Sequence, residues 1–505
     1  MTINRDVSVA ISARAPAADK AAAPEDEDTS ATDLIMPLVA LGAVSALAGY
    51  GYIRRTRRAR TRTTPGVRGD SGGSHTAPPG PPLTDLDQQS WALLTEADDW
   101  VRTSREELGF AEARFGAEAV APFARAVGDA ETELSAAFRI RRRYDDGVPA
   151  DEASRRHVLA GIVGRCQEAG RRLDTEAAGF DGLRALEGGP GQALAVAETR
   201  FRELAARIAT TEATLRDLAE RYPPSATAPV TGYVEQAKDR LVFATTRLNQ
   251  ARQAADSADP GRLAHHLRAA EGAVAQAAVL VTAVDRLTDE LSTAGALVPA
   301  ALSGAEAALA EVRRRPRAGA VTPVAGQPPG LPPGESSARV RHADVVLAAV
   351  REEVTGGPYD PLDALRRIVA ATEPLAAGRA GVLSAAGLLV ARSSVAAADG
   401  FVGTHRGAVG GAARLRLAEA RRALALEPTE PADHLGADGL ARQARELAEQ
   451  DVRMHGNPVA GAAEHASGVA GAVLGGILLS GAPDGGTPPS FGGPRTRRRR
   501  ALLGT

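Results

Sequence analysis

Twenty consecutive residues without a charge, Leu34 to Ile53 (LIMPLVALGAVSALAGYGYI), constrain this chain more than any other feature. At about 1.5 Å per residue, a helix of that length matches a hydrocarbon core of about 30 Å. Pro37 falls in its first turn, where a missing N–H costs little. Tyr50 and Tyr52 sit at its far end, suited to an interfacial belt. Six arginines follow at once: Arg54, Arg55, Arg57, Arg58, Arg60 and Arg62. The preceding tail, residues 1–33, carries seven acidic side chains against three basic ones. The positive-inside rule then places everything from Arg54 onward in the cytoplasm and the short acidic tail outside. The run is too long for a cleaved signal peptide and no basic region precedes it. The expectation is a signal anchor that crosses the plasma membrane once. Within it, Gly42 and Ala46, and Ser45 and Gly49, have small-xxx-small spacing, a dimer signal weakened by how common small residues are in any such helix.

Aromatic residues make up only 3% of the chain. Compact cores lean on them for buried area, so the body is expected to pack through narrow helix seams of Ala and Leu. The reading is all-α: one transmembrane helix, then elongated antiparallel helical hairpins or a coiled-coil bundle, with disordered linkers and tails. Residues 54–82 read as a basic and then Pro/Gly-rich linker. A helical coiled-coil region covers 83–314, a second Pro/Gly-rich linker 315–337, and a second helical hairpin region 338–454. A Gly-rich, basic low-complexity tail fills 455–505. Its uncharged stretch Ala466–Pro483 reads as a flexible, membrane-touching segment rather than a second span.

Two neighbouring helices carry the sharpest periodicity. Leu194, Ala197, Phe201, Leu204, Ile208, Thr211, Leu215 and Leu218 repeat at 3-4 spacing, and so do Val230, Val234, Ala237, Leu241, Ala244, Leu248 and Ala251. Such a stripe calls for a partner helix. The short YPPSATAP between them predicts an antiparallel pair within one chain, or a seam through which copies associate. Weak likenesses among the helix starts at Pro260, Asp360 and Gly436 suggest repeated hairpins.

No catalytic, cofactor or metal site emerges. GDSGG (Gly69 to Gly73) resembles a serine-protease motif, but the first histidine, His75, follows Ser71, and the segment is a linker. GGPGQA at Gly188 lacks the lysine and Ser/Thr of a phosphate loop. The acidic run Glu25–Asp28 reads as a solvated tail. His265 and His266 are adjacent, point to different sides of a helix, and read as surface residues. Cys166 is the only cysteine, which excludes an internal disulfide, and it reads as a buried apolar residue. Net charge is −2, and arginines alternate with acids as in RELAARIATTEATLRDLAER, so nucleic acid is not an expected partner. The basic clusters at Arg54–Arg62 and Arg495–Arg500 could contact anionic lipid.

Several segments resemble the cytoplasmic region of actinobacterial TPM-domain-containing membrane proteins. They are Thr231–Ala277, DDWVRTSREELGFAEARFG from Asp98, GPYDPLDALRRI from Gly357, ARQARELAEQDVR from Ala441, GAVLGGILL from Gly471 and SFGGPRTRRRR from Ser490. The resemblance implies a signal peptide, an extracytoplasmic TPM domain linked to phosphatase activity and membrane-complex maintenance, one membrane helix and a long helical region. Only 33 residues precede Leu34 here, too few for that domain, so no catalytic or metal residue carries over. The expected function is a non-enzymatic, membrane-anchored helical scaffold with an unidentified cytoplasmic partner. The alternative is a TPM-type hydrolase whose catalytic domain lies outside this sequence.

Overall fold

Most helix starts among the described residues are set by prolines and acidic caps, while those at Ala117, Tyr233, Val382 and Gly411 follow glycines. The computed structural model describes residues 81–184, 190–314, 333–375, 381–426, 431–455 and 490–503. The apolar run Leu34–Ile53 and the six arginines after it lie outside them. The helices are α1 (Leu83–Phe115), α2 (Ala117–Asp146), α3 (Glu152–Arg184), α4 (Pro190–Arg221), the single turn α5 (Pro224–Thr227), α6 (Tyr233–Asp256) and α7 (Pro260–Arg314). After them come α8 (Pro333–Gly356), α9 (Pro361–Thr372), α10 (Val382–Thr404), α11 (Gly411–Ala425), α12 (Pro431–His455) and α13 (Pro494–Leu503). There is no strand among the described residues, and the fold is all-α.

Proline is the first residue of α4, α5, α7, α8, α9, α12 and α13. The first-turn N–H groups have no intrahelical acceptor, so proline loses nothing there and its fixed φ suits the helix. Aspartates supply missing acceptors. Asp360 takes the N–H of Asp363 at 3.0 Å ahead of α9, and Asp259 takes that of Arg262 at 3.0 Å ahead of α7. Gly116 joins α1 to α2 at φ +80°, which a side chain would resist.

Ion pairs give the helix directions. Arg141 reaches Asp87 at 2.5 Å while Arg105 pairs with Glu131, so α1 and α2 are antiparallel. Arg165–Glu133 at 2.6 Å and Arg172–Asp129 at 3.6 Å set α2 antiparallel to α3. Arg252–Glu198 at 2.8 Å and Lys238–Glu212 at 3.2 Å do the same for α4 and α6, as the heptads predict. The pair is not left to itself: α7 packs along both, and α6 meets α7 more extensively than it meets α4. At 55 residues α7 is about 80 Å long, and it forms the spine of the fold. Its alanines at 269, 270, 273, 277, 283, 294, 301 and 305 are buried, which lets neighbouring backbones come close.

The expected division at 315–337 does not separate two bodies. Helix α8 begins at Pro333, inside that stretch, and returns antiparallel along α7 through Arg313–Asp344 and Arg351–Glu306. One apolar core runs from α4 and α6 through α7 into α8, α9 and α10. The described residues fall in a single compact unit. Among the described residues two helices, α7 and α10, are long and apolar enough to cross a membrane. Both contribute buried residues to this core, and α10 is also tied to α1 through Arg102–Asp399 at 2.8 Å.

Candidate functional site

Residues 455–505 are expected to be a low-complexity tail, yet the described part of that range, Ser490 onward, is docked against α1–α3. The reason is Phe491, which is fully buried. Its ring stacks on Phe180 with centroids 4.3 Å apart and meets Phe123 edge-on at 6.0 Å. Those two rings contact each other at 5.3 Å. The chain is poor in aromatics overall but concentrates them here: α1–α3 also hold both tryptophans.

Backbone geometry completes the seat. The Phe491 N–H donates to the Glu107 carboxylate, and the Gly492 N–H donates to Ser104 Oγ at 3.2 Å. Gly492 has φ +125°, a left-handed conformation open to glycine. A Cβ at Gly493 would lie 2.1 Å from the carbonyl oxygen of Gly170, so only glycine fits between α3 and the segment. Asp174 of α3 then accepts the N–H groups of Arg495 at 3.1 Å and Thr496 at 3.0 Å, capping α13 from another helix.

The arginines of α13 divide by face. Arg500 bonds Asp181 and the carbonyl of Phe491. Arg497 bonds the carbonyl of Gly492 at 3.3 Å, and burial pulls its guanidinium down to about 10. Arg495, Arg498 and Arg499, at i, i+3 and i+4, are exposed, with Arg499 also within 4.0 Å of Asp181.

Beneath the segment lies a buried charge network. Arg184, at the end of α3, donates to Glu107 at 3.1 Å and to Glu271 of α7 at 2.6 Å. Arg268 joins Glu107 at 3.2 Å and Asp181 at 3.4 Å. Burial pushes the Glu107 carboxyl up, but Arg184, Arg268, Arg500 and the Phe491 N–H outweigh it and hold the group at about 2. At Glu271 burial wins and its pKa is raised. A second network binds α11 to α1: Arg414, 1% exposed, reaches Asp98 at 2.6 Å and Asp99 at 2.8 Å. Arg406 forks onto Glu106 at 2.8 and 2.9 Å. These arginines join helices to one another. Arg141, Arg184, Arg240, Arg406 and Arg414 are all buried, whereas Arg202, Arg207, Arg216 and Arg221 of the alternating stretch RELAARIATTEATLRDLAER are exposed.

A cleft of about 120 Å³ opens among α5, α6, α7, α9 and α10. Its side chains are already bonded: Ser393 donates to Glu290 at 2.7 Å, Ser394 to Asp438 at 2.5 Å, and Arg366 to Asp438 at 2.9 Å. Among the described residues no group of three or more His, Cys, Asp or Glu side chains is arranged to hold a metal. Cys166 is fully buried and its thiol is pushed up to about 12, which makes it inert. His265 and His266 are half-buried rather than on the surface, and burial lowers both, His266 to about 4.

The predicted seam residues are on the inside. Leu194, Leu204, Leu218, Val234, Leu241 and Leu248 are buried, and Phe201, Ile208 and Leu215 are partly so. All of them pack within their own chain. Phe491 and Arg184 carried fainter signals in the sequence. Arg184 continues the apolar stripe Leu173, Ala177, Phe180 of α3, so a charge on a core face was the clue. Phe491 is a lone aromatic in a glycine-rich stretch, and nothing in its local sequence names its partners.

No family model matches the chain, and no solved structure matches it. Two curated proteins of Mycobacterium tuberculosis do, the UPF0603 protein MT2410 of strain CDC 1551 / Oshkosh and the UPF0603 protein Rv2345 of strain ATCC 25618 / H37Rv. Each is 32% identical over 434 residues, covering 82% of this chain. The chain has actinobacterial homologues. It spans 65% of the length of each, so about a third of each relative lies outside the match.

Proposed function

We propose that this protein is a non-enzymatic scaffold, held in the plasma membrane by Leu34–Ile53 with its helical body in the cytoplasm. The observation that carries this reading is where the charges go. The buried networks of α1, α3, α7 and α11 bond helix to helix, and the heptad stripes close within the chain, so the interior is committed to holding a rigid body. Its outer faces are what a partner would meet. The exposed stripe Arg495, Arg498 and Arg499, with Arg54–Arg62, suits anionic lipid headgroups.

Cysteine labelling tests the anchor and its orientation. Cys166 is the only native cysteine and is buried, so it gives little background. With Ser30→Cys and Ser74→Cys introduced separately, a membrane-impermeant maleimide added to intact cells should label Cys at 30 and spare Cys at 74. The opposite pattern, or labelling of both, would sink the orientation.

A second reading is a phosphatase-type hydrolase, as the TPM resemblance implies, and it would need its catalytic domain in the third of each relative that this chain does not match. Phosphate release by the purified full chain would establish it, and a blank assay would leave it to that unmatched part.

A further inference from the structure

The face of α1–α3 and the segment from Ser490 to Leu503 fit each other as receptor and ligand. The segment contains five arginines and no acid. The face meets it with Glu107, Asp174 and Asp181, and offers Phe123 and Phe180 as an aromatic seat. Glycines at 170 and 493 allow backbone contact that any side chain would block. Such complementarity in charge, shape and anchor lets a short peptide bind without the rest of its chain.

The connection between ligand and receptor is long. Thirty-four residues separate His455 from Ser490. Fully extended, they reach at most about 120 Å, beyond the length of α7. Copies held in one membrane lie within that distance of each other at high surface density.

We propose that the α1–α3 face accepts the Ser490–Leu503 segment of a second copy as well as its own, so that exchanged segments join neighbouring copies. The inference rests on the scaffold reading and gives it a partner: another molecule of the same chain. Exchange of an identical element needs no new surface, because every contact made within one copy can be remade between two. The tether favours the chain's own segment by local concentration, and crowding at the membrane shifts the balance toward exchange.

Complementation between two damaged full-length chains tests this. Asp174→Arg removes the carboxylate that caps α13 and repels the incoming arginines, but leaves the segment intact. Gly493→Val blocks the segment at Gly170 and leaves the face intact. Each chain is purified in detergent with its own tag, and the unaltered membrane span is common to both. Neither variant can clasp itself, whereas the face of the Gly493→Val chain can take the segment of the Asp174→Arg chain.

The expected result is co-purification of the mixed pair at least tenfold above either variant mixed with itself. A synthetic peptide of residues 488–503 in excess should disperse the pair. No enrichment in the mixture, with helix content preserved in both, would show that the segment binds only its own chain and overturn the proposal. Equal association of each variant with itself would also overturn it, by placing the contact elsewhere. If one variant loses helix content, the pair Gly170→Ala and Phe491→Ala is scored in the same way. Cysteine labelling of the anchor is unaffected by any of these outcomes, so the scaffold reading stands or falls separately.

Discussion

The side chains that distinguish this fold are arginines held in its interior. A buried ion pair gains little over a well-packed apolar pair, but removing one partner strands a charge and costs about 3–5 kcal/mol. Glu107 has the most to lose, because it serves Arg184, Arg268 and the Phe491 N–H together. Glu107→Gln should therefore lower stability by about 3 kcal/mol in urea unfolding, whereas a loss under about 0.5 kcal/mol would show that water reaches the site. His405 sets a pH limit of another kind. It is buried, stacks on Phe401 at 4.1 Å, and burial lowers it to about 4. The folded state keeps this ring neutral where the unfolded chain would protonate it. Its contribution is thus complete above about pH 6.5 and is lost as pH falls toward 4. Between pH 6.5 and 5 the loss should be about 2 kcal/mol, and His405→Asn should flatten the curve over that interval. An unchanged slope would mean that the ring is already solvated.

Among the elements, helix starts and apolar stripes were readable, but partners were not. Prolines and aspartates announce where helices begin, because first-turn N–H groups need a side-chain acceptor or no hydrogen at all. Asp360→Ala should cost about 1 kcal/mol through the lost cap on α9, read as a lower thermal midpoint. A heptad stripe says only that a helix wants a neighbour. The stripes of α4 and α6 were legible, and so was their antiparallel pairing, but α7 covers both through a 3-4 repeat of its own, Leu263, Leu267, Ala270, Ala273, Ala277, Leu280, Val284, Leu287 and Leu291, and spacing does not say which neighbour such a stripe meets. The choice between a seam within the chain and one between copies could not be made from spacing. It depends on which stripe residues are covered, and Leu204 and Leu241 are buried within one chain. Leu204→Asp should therefore unfold the body rather than separate copies. The result to look for is loss of cooperative thermal unfolding, and a folded variant of reduced mass would restore the intermolecular seam.

At the scale of the molecule, composition misleads in two places for one physical reason. Glycine and proline mark where regular structure stops, but not whether the chain beyond it packs back. The stretch 315–337 reads as a boundary, yet α8 returns along α7, and α9 and α10 enter the same core. The basic, glycine-rich end reads as a low-complexity tail, yet its Gly493 lets it approach α3, where Gly170 leaves the matching space. Long-range packing decides both cases, and it leaves no local mark. If α7 and α8 share one core, a protease cut between Arg314 and Pro333 should not divide the protein. Its two fragments would stay together on size exclusion under native conditions and separate in denaturant. They would also unfold in a single transition, since α7 on one fragment and α9 and α10 on the other bury the same residues. Two transitions, or fragments that elute apart, would restore the boundary and make the helices from Pro333 onward a separate domain.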